Sequence, residues 1–153
     1  MKLRVVWIGK TRSKELSSLI DDFLERLRRF VPMEITEIRD PRAGNDKRQL
    51  AAEAERLLAT LDSNDRVVIL DASGQSWSSP QLAQFVGKHL GSDPRRLTFV
   101  IGGYGGMMED VKARAERRWS LSPLTFTHEM TRVLVVEQLY RAMCILKNHP
   151  YSK

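Results

Sequence analysis

Short apolar runs recur along the chain and predict buried β-strands. Residues 3–8, 66–71 and 97–101 are largely uninterrupted apolar runs, as expected of strands covered on both faces. Residues 33–38 instead alternate strictly between apolar and polar side chains, which predicts a strand with one wet face. Residues 39–45 and 72–78 are polar and contain glycine, so we expect loops there.

The segments between these strands have apolar residues at helical spacing. Steps of three and four predict amphipathic helices over residues 16–31, 50–61 and 82–90. Asp46 and Ser79 are the predicted N-caps of the second and third helices. Further on, we expect a polar helix over residues 107–118, a short apolar segment at 121–126, and a long helix over about 130–147.

Strands separated by single helices predict an α/β fold with a parallel sheet and helices on both faces. Neither a repeat nor a linker interrupts the sequence, so we expect one domain over residues 1–153. The composition supports this, since 42% of the residues are hydrophobic and 29% are charged, as in ordinary globular proteins.

Charge and cysteine content limit the binding partners and the cellular compartment that we expect. The chain has 25 Lys and Arg residues and 19 acidic residues, which gives a net charge of +6. This charge favours polyanionic partners, although many basic proteins bind no polyanion. Cys144 is the only cysteine, so no internal disulfide is possible. We find neither a secretory signal nor a run long enough to span a bilayer, and no metal-ligand spacing. A cytoplasmic protein without metal is expected.

A glycine cluster at residues 102–106 follows the run at 97–101. Glycines at the carboxyl end of a parallel strand let the backbone approach a ligand closely, although a tight turn without a ligand is the alternative. The spacing is wrong for a dinucleotide fingerprint, because Met108 occupies the third glycine position. A nicotinamide oxidoreductase is therefore the least favoured class, and no P-loop Gly-Lys-Ser/Thr follows.

The last long helix begins with polar residues that are candidates for a functional site. The rest of the helix is apolar over most of its circumference. His128 and Arg132 lie one turn apart and face the same way, although such residues are more often capping or surface groups. We interpret Cys144 as packing, His149 as structural, and His89 as an uninformative surface residue. A helix this apolar is either buried in the core or shared with a second subunit. We expect a homodimer interface along one stripe of this helix: Val133, Val136, Tyr140 and Met143.

Three segments together closely resemble the RlmH family, the 23S rRNA pseudouridine N3-methyltransferases of the SPOUT class. They are Ile101-Gly102-Gly103 with Gly105-Gly106, the stretch 121–133 with His128 and Arg132, and Glu137-Gln138-x-Tyr140-Arg141-Ala142 ending in His149-Pro150-Tyr151. The resemblance runs from end to end. It implies a C-terminal trefoil knot, a homodimer formed through the last helix, and action on 23S rRNA within the assembled ribosome.

The resemblance also implies the site. The cofactor is S-adenosyl-L-methionine, and the residues expected to bind it are Leu70, Gly102, Gly103, Leu121, Ser122, Pro123, Leu124, Thr125 and Phe126. The methyl group arrives already activated, so the enzyme must align it and help the N3 of the base to lose its proton. The catalytic candidates are Arg132, His128, Arg141 and Tyr151. Family members usually have a histidine after this tyrosine, where this chain has Ser152, which leaves open the group that deprotonates the base.

Two alternatives remain beside this interpretation. One is a SPOUT methyltransferase for another RNA nucleotide, which the missing tail histidine allows. The other is a non-catalytic ribosome-binding factor on the same scaffold, which would have no reason to retain a cofactor pocket.

Overall fold

The fold is built around a five-stranded parallel sheet. We describe it from a computed structural model, which covers residues 2–103 and 106–151. The strands are β1 Leu3–Ile8, β2 Met33–Ile38, β3 Arg66–Ser76, β4 Leu97–Val100 and β5 Arg117–Ser120. The helices are α1 Lys14–Arg28, α2 Asp46–Thr60, α3 Ser79–Ser92, α4 Glu109–Arg114 and α5 His128–Leu146.

The strand order is β2-β1-β4-β3-β5, and every pairing is parallel. β4 is therefore the central strand and is buried at all four positions. β2 lies at one edge, which accounts for its alternating sequence. This arrangement confirms the predicted parallel sheet; the trefoil knot stays a prediction.

Helices cover both faces of the sheet, as predicted. Neighbouring residues of a strand point to opposite faces, so they pack against different helices. Val5 joins a core cluster with Ile20 of α1, Leu82 of α3 and Val136 of α5. Its neighbour Val6 instead joins a second, smaller cluster, which includes Leu57 of α2 and Val111 of α4. Continuous apolar strands are thus explained by burial on two sides.

The fifth strand was not predicted, and the helix expected over residues 107–118 is wrong in its second half. α4 ends at Arg114, and the chain then runs extended beside β3. Arg117 and Arg118 are exposed, so the strand shows no apolar pattern. Trp119 anchors it, with its ring 5.8 Å from the ring of Trp77 between centroids.

β3 is longer than predicted and takes in residues that were assigned to a loop. Its register with β5 shifts between Leu70 and Gln75, so the strand bulges and then pairs again at Gln75 and Ser76. Gly74 lies in this stretch, and a Cβ there would lie 2.6 Å from the backbone of Arg118. The absence of a side chain at Gly74 allows the two strands to approach.

Two helix N-caps lie one residue before the predicted positions. Asn45 caps α2, accepting from the backbone N–H of Arg48, and Asp46 is the first helical residue. Ser78 caps α3 in a reciprocal capping box with Gln81, so Ser79 is already helical. In both cases a second cap-type residue follows the true cap, and composition alone does not separate them.

α5 packs within its own chain, between α1 and α3. The apolar stripe proposed as a dimer interface is 93% or more buried in one copy: Val133, Val136, Tyr140 and Met143. That basis for the predicted homodimer is therefore wrong. The interpretation of His89 as a surface residue is also wrong, because its side chain is fully buried.

Candidate functional site at the carboxyl edge of the sheet

A cavity of about 640 Å³ opens where the predicted cofactor loops meet, and we call it the glycine-loop cavity. Eight of the nine residues expected to bind the cofactor line it: Leu70, Gly102, Gly103, Leu121, Ser122, Leu124, Thr125 and Phe126. Pro123 is exposed and is not among the lining residues.

The topology brings these residues together. Leu70 lies in β3, Gly102 follows β4, and Leu121 follows β5. β4 ends opposite Ile69 of β3, and the regular pairing of β5 with β3 ends at Leu70, so these three segments are neighbours at one edge of the sheet. Open parallel sheets bind their ligands at this edge.

The glycines shape the loop in two different ways. Gly106 has a φ of +91°, a left-handed conformation that favours glycine. A Cβ on Gly102 would lie 2.9 Å from both the carbonyl oxygen of Gly106 and Cγ of Met107. Gly102 therefore allows the loop to fold back on itself, which differs from our expectation that its missing side chain lets the backbone approach a ligand. Tyr104 and Gly105 lie outside the described residues.

The segment after β5 forms an exposed apolar rim. Leu124 is 70% exposed and Phe126 is 36% exposed. Ser122 holds the turn, because its hydroxyl accepts from the backbone N–H of Leu124 and its carbonyl accepts from Ser120 Oγ. A rim of this kind can cover the apolar parts of a bound ligand.

Asp71 places a carboxylate in the wall of the glycine-loop cavity. Its Oδ1 accepts from the backbone and hydroxyl of Ser73, while Oδ2 is buried without a hydrogen-bond partner among the described residues. Burial alone would raise the pKa of this carboxyl, but the Ser73 hydrogen bonds and Lys112, 4.0 Å away, leave it below its ordinary value. The Lys112 ammonium lies 4.0 Å from Oδ2, beyond hydrogen-bond distance, so this buried anionic oxygen fits a ligand that donates a hydrogen bond.

A second, larger space adjoins the first; we call it the outer cavity, and its volume is about 1340 Å³. Both strand-end loops on the β1–β2 side line it. Its basic residues are Lys10, Arg12, Arg39, Arg42 and Lys47, and its acidic residues are Glu37, Asp40, Asp46, Glu53 and Glu129. Gly103 and His128 line both cavities and so mark the boundary between them.

His128 is the first residue of α5, directly after the N-cap Thr127. Partial burial lowers the pKa of its imidazole, and the nearby Arg132 cation lowers it further. Next to it, Glu129 accepts from the backbone N–H groups of Arg12 and Ser13, which ties the loop after β1 to the start of α5. His128 is thus held, mainly uncharged at neutral pH, where the two cavities meet.

Arg132 does not line either cavity. It is 1% exposed, and its guanidinium donates to Thr11 Oγ1 at 2.9 Å and to the Ile8 carbonyl at 2.6 Å. The group also lies 5.1 Å from the Trp7 ring centroid. These contacts fasten α5 to the end of β1, one turn behind His128.

Arg141 and Tyr151 lie at the opposite end of α5, and the chain does not bring them to the cavities. At the ordinary helical rise, Arg141 is about 20 Å along the helix from His128. Tyr151 donates to Glu137 Oε1 at 2.9 Å, and Arg141 donates to the same oxygen at 2.7 Å. Burial and this carboxylate raise the pKa of Tyr151 to about 12. Ser152 and Lys153 lie outside the described residues.

Sequence reasoning missed several lining residues, among them Asp71, Lys112 and Glu53. Asp71 had a usable signal, since it is the first charged residue after an apolar strand. Glu53 had none, because it occurs in a helix among other charged residues and only the packing shows that it is buried.

The sheet and the glycine-loop cavity define an α/β protein whose candidate ligand site is built from the loops that follow β4 and β5. A family model described as "Predicted SPOUT methyltransferase" matches residues 1–152, so the chain belongs to the SPOUT methyltransferase family. The chain is also 42% identical to the ribosomal RNA large subunit methyltransferase H of Geobacter metallireducens, over 99% of this chain and 98% of the relative. The protein of the same name from Christiangramia forsetii is 39% identical, with the same coverage.

Among solved structures, the chain resembles the tRNA (m1G37) methyltransferase from Aquifex aeolicus. The TM-score is 0.54 with 16% identity, covering 92% of this chain and 70% of the other. At this identity the likeness supports the fold alone. Within residues 2–103 and 106–151 there is no cluster of His, Cys, Asp and Glu that could hold a metal, and no helix long and apolar enough to cross a membrane.

Proposed function

We propose that this protein transfers a methyl group from S-adenosyl-L-methionine to the N3 of a pseudouridine in 23S rRNA within the assembled ribosome. The observation that carries the proposal is the glycine-loop cavity, in which eight of the nine residues expected from the family resemblance meet. The curated relatives are named ribosomal RNA large subunit methyltransferases, and they match this chain over nearly its whole length.

The residues of the glycine-loop cavity suit this cofactor. Asp71 Oδ2 is available to accept a hydrogen bond from a ribose hydroxyl. Leu70, Leu121 and Phe126 provide apolar contact for an adenine ring. When bound, the cofactor supplies a methyl carbon that is electrophilic enough to react with a nitrogen nucleophile.

The outer cavity suits the acceptor. Five basic and five acidic side chains line it, so the preference for the phosphates of RNA comes from the charge of +6 on the whole chain. Because Gly103 and His128 border both cavities, a base in the outer cavity would lie next to a cofactor in the glycine-loop cavity. Proximity of this kind is the main requirement for methyl transfer.

We also propose that the protein acts as a homodimer of single-domain subunits. Arg141 and Tyr151 lie too far along α5 to reach the cavities of their own chain. If they act on the acceptor base, as the family resemblance implies, they must do so from a second copy. Apolar side chains that α5 leaves partly exposed are available for such contact: Met130, Ile145 and Leu146.

The test is methyl transfer to 70S ribosomes that lack the modification, using cofactor with a labelled methyl group. We expect one methyl group per ribosome, on N3 of a 23S pseudouridine, as located by mass spectrometry of nuclease fragments. A methyl group on a different nucleotide would support the first alternative. Cofactor binding by calorimetry without any transfer would support the non-catalytic factor.

A further inference from the structure

Glu53 is a buried carboxylate at the boundary between the two cavities. It lies on the inner face of α2, is 5% exposed and lines the outer cavity. A Cβ on Gly103 would lie 2.9 Å from Oε2 and closer still to Oε1. The carboxylate therefore touches the residue that also lines the glycine-loop cavity.

Among the described residues, one side chain donates to the Glu53 carboxylate. Gln49 Nε2 donates to its Oε1 at 3.2 Å and to Asp40 Oδ1 at 2.8 Å, and no other described residue donates to the Glu53 carboxylate. Buried carboxylates elsewhere in this fold are paired differently. Asp65, for example, is 3% exposed and accepts from the guanidinium groups of Arg4 and Arg96. A buried carboxylate without a cationic partner is costly, so its retention calls for a role.

The surroundings of Glu53 make it a stronger base than an ordinary glutamate. Burial raises the pKa of its carboxyl, the hydrogen bond from Gln49 lowers it in part, and the negative charge of Asp40 raises it further. The other charged or titratable groups around the outer cavity are Lys10, Arg12, Glu37, Arg39, Arg42, Asp46, Lys47, His128 and Glu129. A carboxylate whose pKa is raised binds a proton more readily than an ordinary one, which suits proton abstraction.

We propose that Glu53 is the general base that removes the N3 proton of the acceptor base. This inference rests on the proposed function, which requires that an imide N–H be broken. In this step the proton of N3 passes to a carboxylate oxygen of Glu53. The electron pair left on the nitrogen forms the new bond to the methyl carbon, and the carbon–sulfur bond breaks with its electron pair remaining on sulfur. The positive charge of the sulfonium is cancelled, and Glu53 is left protonated until water takes the proton.

The test compares Glu53→Gln with Glu55→Gln in the full-length protein. Gln keeps the shape and the hydrogen-bonding reach of the side chain but cannot accept the proton. Glu55 is the matched control, because it is on the same helix and exposed. We expect Glu53→Gln to lower kcat for 70S ribosomes about 10²- to 10⁴-fold. The Kd for the cofactor should stay within about threefold in calorimetry, and Glu55→Gln should match the wild type.

Two further measurements separate a base from a structural residue. In the wild type, kcat should rise with pH through the Glu53 titration, and this rise should be absent from the residual activity of Glu53→Gln. In the cofactor-free protein, carboxyl ¹³C NMR should show a resonance that titrates above the ordinary glutamate range and is missing in Glu53→Gln. Glu53→Asp, which retracts the carboxylate, should retain more activity than Glu53→Gln.

Several results would overturn the inference. A kcat of Glu53→Gln within threefold of the wild type would exclude Glu53 as the base, as would an unshifted Glu53 resonance. An equal loss in His128→Asn, with an unchanged pH profile in Glu53→Gln, would assign the proton transfer to His128 instead. Failure of the proposed function looks different, because the wild-type protein itself would then leave 70S ribosomes unmethylated.

Discussion

Two buried polar atoms near the carboxyl edge of the sheet lack a hydrogen-bond partner among the described residues: Asp71 Oδ2 and Arg132 Nε. Their surroundings indicate different roles for the two residues. Asp71 opens onto a cavity, so a ligand can supply the missing donor. The Arg132 guanidinium satisfies its remaining needs within the protein, against Thr11 and Ile8. At the residue scale, access to a cavity separates a ligand-binding group from a structural one.

Asp71→Asn should weaken cofactor binding. The amide can keep the contact to Ser73 but removes the charge and places a donor where the ligand needs an acceptor. Loss of one charge-assisted hydrogen bond predicts a Kd about 10- to 100-fold higher in calorimetry. Asp110→Asn, at an exposed position of α4, is the control and should not change the Kd. Equal affinity in wild type and Asp71→Asn would remove Asp71 from the site.

Arg132→Met should destabilise the fold. The substitution keeps most of the apolar volume but leaves the buried carbonyl of Ile8 without its donor. We expect the free energy of unfolding in urea to fall by about 1–3 kcal/mol. Arg29→Met, at a side chain that is 73% exposed, should change it by less than about 0.5 kcal/mol. An unchanged urea midpoint for Arg132→Met would contradict the structural role assigned here.

At the scale of secondary-structure elements, the residue at which a helix begins is set by local geometry, and composition indicates it only approximately. α3 shows this well, because Ser78 and Ser79 are both suitable caps and only Ser78 has the extended backbone and the bond from Gln81. The side chain of Ser79 lies one residue too late to accept from the first turn. The helix therefore begins where the reciprocal capping box closes.

Ser78→Ala should cost about 1 kcal/mol of stability, whereas Ser79→Ala should cost less than about 0.5 kcal/mol. The reason is that only Ser78 satisfies a backbone donor at the start of α3. Thermal or urea unfolding of the two variants side by side measures the difference. A larger loss in Ser79→Ala would move the cap to the position that composition first indicates.

At the scale of the whole molecule, buried charged and titratable groups link elements that are distant in the chain. His89 of α3 is an example, since Arg66 of β3 donates to its Nδ1 and its Nε2–H donates to the Arg95 carbonyl. Arginine has only donors and a carbonyl only accepts, so this arrangement requires the neutral imidazole. Burial, together with the Arg66 cation, lowers the pKa of His89 below its ordinary value.

Stability should therefore fall as the pH is lowered below about 6.5, the ordinary histidine value. In that range the unfolded chain binds a proton that the folded protein resists, so the free energy of unfolding rises with pH. His128 contributes in the same direction. His89→Gln should flatten the dependence between about pH 5 and pH 7 in urea titrations. A wild-type slope retained in His89→Gln would show that His89 is not responsible.

The sequence by itself determined the elements whose signal is local and repeated along many residues. The apolar runs of β1 and β4 and the helical spacing of α1 and α5 each predict an element from several residues that agree. Through their family resemblance, the late glycine cluster and the segment 121–126 predict a cofactor site, which stays a prediction. The structure then placed eight of those nine residues around one cavity.

Only the tertiary structure decided the features that depend on distant partners. β5 is a strand because it pairs with the edge of β3 and because its Trp119 packs against Trp77. Four residues with two exposed arginines have no strong preference of their own for a strand. The burial of His89 and Glu53 depends in the same way on what lies opposite them. Whether a polar residue is solvated, structural or reactive is set by contacts across the fold, which no spacing along the chain encodes.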